Sequence, residues 1–201
     1  MKRLTLVLSY LTLVLLGLLI GSRLFIPWNE ISELGFLRVS SSLYGSTETT
    51  ISARDFSNEG IFPTFSFKGV DIDGLGIQVH LESLKVAVKP LSSVLTGRVV
   101  VDVYLNKGSL SLPGDQPRSF GGNFNCSYGE EEIEISDVDI KGDISASGKS
   151  TMSVSNKRIT EADMAFSVPE TMEGVFPMAK KYLPLSKGED GTWLLRRKKE
   201  S

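Results

Sequence analysis

One cysteine and one histidine in 201 residues remove several kinds of chemistry at the outset. A lone Cys126 cannot close an intramolecular bridge, which excludes a disulfide-built secreted mini-domain. A lone His80 has no second imidazole with which to share a metal, and a Ser-His-Asp or Cys-His relay would depend on it alone. There is no G-x-S-x-G elbow, and Gly121-Gly122 is followed by neither a helix signal nor a lysine in phosphate-cradling spacing. Asp71-Ile72-Asp73-Gly74 and Asp137-Val138-Asp139 with Asp143 are fragments of oxygen-ligand loops without the late bidentate carboxylate, and they read as solvated turns and edges. Basic charge is scarce as well. Residues 27–195 carry 15 basic and 23 acidic side chains, a balance of −8, which argues against nucleic acid as a partner. These absences lead us to expect no enzyme, no cofactor and no bound metal.

Long hydrophobic runs are also few, and the single one is informative. Leu4 to Ile20 is 17 residues without a charge, 13 of them apolar, and no comparable run follows Ile26, which excludes a polytopic transporter. Seventeen helical residues reach about 26 Å, a little short of a ~30 Å hydrocarbon core, and the residues through Ile26 make up the difference. Met1, Lys2 and Arg3 precede the run, Arg23 can snorkel at its far end, and Trp28 beyond Pro27 suits an interfacial belt. The positive-inside bias then puts the amino terminus in the cytoplasm and the rest across the membrane. A cleaved signal peptide is the rival reading, but Leu18-Leu19-Ile20-Gly21-Ser22 is a poor cleavage site, and no lipoprotein cysteine follows. The expected organisation is a cytoplasmic tip and anchor over 1–26, an exported domain over 27–187, and a polar basic tail over 188–201.

Beyond the anchor the apolar residues recur with period 2, the mark of a strand with one wet face. Leu75, Ile77, Val79 and Leu81 alternate with polar residues that include His80, and Leu84, Val86 and Val88 alternate with Lys85, Ala87 and Lys89. Val99, Val101, Val103 and Leu105 lead to Asn106-Lys107-Gly108, which reads as a turn before Leu110 and Leu112. Phe120, Phe124, Cys126 and Tyr128 share a face, as do Ile133 with Ile135, Met152 with Val154, and Met164, Phe166 and Val168. Residues 40–60 show only a candidate strand from Thr49 to Ala53. Pro90 to Gly97 reads as a short helix with proline at its start and glycine at its stop, laying Leu91, Val94 and Leu95 on the sheet. Glu170 to Leu183 is a second helix candidate, weakened by Gly174 and Pro177. The fold class is mainly β: eight to ten antiparallel strands closing as a sandwich, with a barrel or a curved sheet holding an open groove as the other solutions. The candidate core or groove face is Val99, Val101, Val103, Phe120, Phe124, Tyr128 and Phe166.

The run Leu84-Lys85-Val86-Ala87-Val88-Lys89-Pro90-Leu91-Ser92-Ser93-Val94-Leu95-Thr96-Gly97, leading into Val99-Val100-Val101-Asp102-Val103-Tyr104-Leu105 behind an amino-terminal span, resembles the AsmA-like envelope proteins. In size and single module it is most similar to the type II secretion system protein N (GspN) family within that grouping. Asp139-Ile140-Lys141-Gly142-Asp143-Ile144 fits more loosely, and residues 27–60 contribute nothing to the likeness. The resemblance implies a bacterial inner-membrane protein with a periplasmic β-domain, serving as an accessory or scaffold for type II secretion beside other inner-membrane components. Its second implication, from the larger AsmA-like proteins, is phospholipid carried along an apolar β-groove. No catalytic residue is implied.

Overall fold

The computed structural model describes Tyr10, Leu13, Val14, Gly17, Ile20, Gly21, Phe25 and residues 26–47, 49–59, 63–74, 76–172 and 183–198. In chain order these form α1 (Trp28–Thr47), β1 (Thr50–Ser52), β2 (Asp55–Glu59), β3 (Thr64–Gly74), β4 (Ile77–Val88), α2 (Pro90–Thr96) and β5 (Val99–Ser111). There follow β6 (Arg118–Tyr128), β7 (Glu132–Gly142), β8 (Ser145–Ser153), β9 (Ile159–Ser167), a 3-10 turn at Glu170–Met172, β10 (Leu185–Lys187) and β11 (Trp193–Arg197). All eleven strands join one antiparallel sheet in the order β1-β3-β4-β5-β6-β7-β8-β9-β11-β10, with β2 also paired to β3. The expected sandwich is not what forms. Beyond neighbours in the sheet, the extensive packing among the described elements is α1 against β1, β2 and β3, and α2 against β5.

The period-2 pattern explains the strands, and its interruptions explain their shape. In β3, β4 and β5 the apolar phase slips at one level: Phe67, Leu84 and Leu105 stand opposite one another, and so do Val70, Leu81 and Gly108, three residues along each strand. Lys107, at φ 47°, supplies the extra residue of β5 against β6, and Asp137, at φ 51°, supplies that of β7 against both its neighbours. Bulges bend a strand and increase its twist, so a sheet carrying them across successive strands curves. Asn106-Lys107-Gly108, expected as a turn, is therefore a bulge inside one continuous β5.

Gly122 holds this arrangement at a close approach. Its φ is +148°, and a Cβ added there would collide with the Asp139 carbonyl oxygen and lie 2.8 Å from the Ile140 Cα. Gly122→Ala is expected to lower stability by roughly 2–3 kcal/mol through backbone strain and the displaced β7, read as an earlier denaturant midpoint.

Four further expectations change. Trp28–Thr47 is a helix that the sequence did not announce, and β1 fills the expected strand between Thr49 and Ala53. Of the helix expected over Glu170 to Leu183, Glu170–Met172 is a 3-10 turn, and 173–182 lie outside the described residues. Residues 188–201 are not simply a tail. Trp193–Arg197 forms β11 between β9 and β10, and buried Trp193 and Leu195 pack with Leu185 and Ala162. Finally, α2 is present, but its Leu91, Val94 and Leu95 do not lie on the sheet: they are 77%, 83% and 86% exposed.

Among the described residues, no helix is long and apolar enough to cross a membrane. Leu4 and most of the run to Ile20 lie outside them. Ile20 is described, helical and exposed, as are Tyr10, Leu13, Val14 and Phe25.

Candidate functional site

The two faces of the sheet differ in chemistry. One carries cross-strand ion pairs: Lys68 with Asp55, Lys85 with Glu59, Lys107 with Glu82, Lys149 with Glu161 and Arg98 with Glu134. His80 belongs to this wet face, with its Nδ1 2.6 Å from Asp71 Oδ1 and both side chains nearly half exposed. Such surface pairs keep the face soluble and add little stability.

The other face is mostly apolar, with Ser150 opposite Ile135 and, toward its margins, Arg118 opposite Leu110 and Arg197 opposite Ala162. Residues directly opposite in an antiparallel ladder point the same way, so the register strings Phe67, Leu84, Leu105, Gly122, Ile140, Ala146 and Phe166 into one row across seven strands. Phe65, Val86, Val103 and Phe124 make a second row, and Val88, Val101, Cys126 and Ile135 a third. Val70, Leu81, Gly108 and Phe120 stand beyond the bulges. There the Phe120 ring folds over Gly108, where an added Cβ would meet its Cζ at 2.6 Å.

Helix α1 closes one end of this face. Its Phe36 ring lies 5.3 Å from Phe56 and 5.6 Å from Phe67, centroid to centroid, and Trp28 lies 6.2 Å from Phe65. From β4 to β8 no described element is stacked on the apolar side. Most of its side chains are half-buried, and Val70, Leu81, Val103 and Val138 are buried. Half-burial without a second layer means that the side chains shelter one another across a curved surface, leaving a trough open on one side.

All seven residues singled out in the sequence fall on this face. Val99, Val101 and Val103 on β5 stand directly opposite Tyr128, Cys126 and Phe124 on β6, with Phe120 farther along β6. Phe166 lies three strands away on β9, about 14 Å at normal strand spacing, where it borders the small core around Trp193. Val99 and Tyr128 are exposed at the end of the trough. Phe36 and Phe56, which with Phe65 and Phe67 form its closed end, carry no sequence signal, whereas Phe65-Ser66-Phe67 reads as amphipathic without marking this face. Phe65 and Phe67 alternate, but the helix that supplies Phe36 had no legible stripe.

Cys126 and His80 occupy opposite faces of the sheet, so they form no thiol-imidazole pair. Burial pushes the Cys126 thiol above its ordinary value. Since the thiolate is the nucleophile, iodoacetamide is expected to modify Cys126 slowly in the native protein near neutral pH and at the rate of a free cysteine once the sheet is unfolded, as mass spectrometry of the adduct would show. Among the described residues, no group of three or more His, Cys, Asp or Glu side chains is placed to hold a metal ion.

Residues 5–197 match the family described as type II secretion system protein GspN-like, Synergistales. The chain belongs to that family. No curated protein and no solved structure matches it significantly. Membership in this GspN-like family covers the apolar run as well as the sheet, and it points to a role beside other components of type II secretion.

Proposed function

We propose that this GspN-like protein is an inner-membrane-anchored accessory of type II secretion whose periplasmic sheet binds the acyl chains of phospholipid in its apolar trough. The observation that carries the lipid reading is the apolar face of β4 to β8, which no described element covers. Leaving that many aliphatic and aromatic side chains in water is unfavourable at ~25 cal/mol per Å², so a ligand with long hydrocarbon chains gains by covering them. The accessory role rests on family membership, and anchoring rests on the apolar run from Leu4 to Ile20 with its basic start.

Five strands, β4 to β8, carry the uncovered face, so the open trough runs roughly 19 Å at ~4.8 Å per step within a sheet of about 43 Å. One copy can shield one or a few lipids but is too short to bridge the two membranes of an envelope. That length fits a local lipid-binding accessory better than a complete conduit.

Two measurements test the proposal. Deleting the gene in its host is expected to reduce export of the enzymes secreted by the type II route, and the tagged full-length chain should co-purify with inner-membrane secretion components. Normal export would count against the accessory role. The purified chain is expected to keep phospholipid through detergent washes that strip annular lipid, as detected by mass spectrometry of the extract. Finding none would remove the lipid reading.

A further inference from the structure

Helix α2 is amphipathic in the inverted sense. Ser93 faces the protein: its Oγ donates to the Lys89 carbonyl at 2.8 Å and accepts the Val100 N–H at 2.9 Å, tying the helix to the start of β5. Pro90 opens the helix and Gly97, at φ 65°, ends it, so its orientation is fixed at both ends. Leu91, Val94 and Leu95 are left 77%, 83% and 86% exposed, with Val94 at the rim of a neighbouring depression. Beside them the exposed Val99 and Tyr128, with Gly97 and Gly129, line a shallow apolar depression that continues onto the trough face.

The position of α2 says what covers it. Helix α1 begins at Trp28, whose ring packs on Phe65, and the apolar run precedes it in the sequence. Phe65 stands opposite Val86, and Val86 is four residues before Pro90 on β4, about 13 Å along the strand. Farther along α1, Phe36 meets Phe67 and Ser40 bonds the Ile51 carbonyl, so this helix runs from the α2 end of the sheet toward the opposite end. The start of α1, which the apolar run precedes in sequence, and the exposed tip of α2 therefore lie at the same end of the sheet.

We propose that α2 is a second membrane contact, with Leu91, Val94 and Leu95 inserted in the bilayer leaflet beside the anchor, setting the Val99–Tyr128 end of the trough against the lipid. This rests on the anchored reading above. The contact is apolar rather than electrostatic. Lys89 is held by Asp102 at 2.7 Å and Arg98 by Glu134 at 3.5 Å, while Glu130 and Glu131 are exposed at the neighbouring turn. Zwitterionic lipid should suffice, and salt should not release the tip.

The test uses the full chain in liposomes of phosphatidylcholine and phosphatidylethanolamine, with an environment-sensitive fluorophore on Val94→Cys in a Cys126→Ser background. A second sample carries the label on Gln116→Cys, in the turn at the opposite end of the sheet. The expected result is a blue shift at position 94, quenching there by doxyl-labelled lipid at low and high salt, and neither effect at position 116. A chain that floats with the liposomes but keeps the position 94 label in water overturns this inference while leaving the anchor intact, including the case in which a protein covers the tip in cells. A chain that does not float overturns both.

Discussion

Val70→Asp is expected to leave no folded sheet. Val70 is 1% exposed, opposite buried Leu81 and in the row that ends at Phe120, beyond the phase slip that β3, β4 and β5 share. A carboxylate placed there faces aliphatic and aromatic carbon, and every lysine paired on these strands points to the other side. An unpaired buried charge costs several kcal/mol, comparable with the whole stability of a domain of this size, about 5–15 kcal/mol. Far-UV circular dichroism should lose its β signal and expression should shift to the insoluble fraction. Gln78→Asp, on the wet face of β4, should change neither.

Phe124→Asp is expected to do the opposite: keep the fold and lose the lipid. Phe124 is half-buried on β6, and the bulge at Asp137 leaves it without a directly paired residue on β7. With no described element above it, the new carboxylate can reach water through the open side of the trough, and the stability loss is held to about 1–2 kcal/mol. For an acyl chain lying in the trough the same carboxylate is an unpaired charge in its path, so phospholipid recovered with the protein should fall to background. Phe124→Leu should keep both fold and lipid. The two substitutions separate two structures, because in a sealed core Phe124→Asp would unfold the domain just as Val70→Asp does.

The strands were legible because each has one wet face, and alternation survives in residues such as Val99 to Leu105 and Phe120 to Tyr128. Bulges were visible only as phase slips. The step from Leu81 to Leu84 is one such slip, and Asn106-Lys107-Gly108 has the composition of a hairpin turn, which is also the composition that tolerates a left-handed bulge residue. Helix α1 was hidden because its apolar residues form no single stripe: Phe36 faces the sheet while Ile31, Leu34, Leu37 and Tyr44 remain exposed. In α2 the spacing was read correctly and the direction wrongly, since an i, i+3, i+4 set marks an apolar face without saying what it meets. The basic residues from Arg196 onward masked the alternation of Trp193 and Leu195 that builds β11.

Whether the apolar face would be sealed lay beyond the sequence for a physical reason. The pattern of a half-buried strand is the same under a second sheet, a helix layer or a bound lipid, because all three present hydrocarbon to it. Among the described residues the strand connectivity, each strand pairing within one sheet, excludes the second sheet, and the helix packing leaves β4 to β8 without a helix layer.

The central claim, that lipid occupies one face of this sheet, is tested most directly by placing a photoreactive benzophenone amino acid at single positions of the full chain in living cells. Phe120 and Phe124 sample the trough, and Asn123 and Gln78 sample the wet face. The account predicts phospholipid adducts, identified by mass, at positions 120 and 124 and none at 123 and 78. Adducts absent from both faces, or equally frequent on the two, would contradict it.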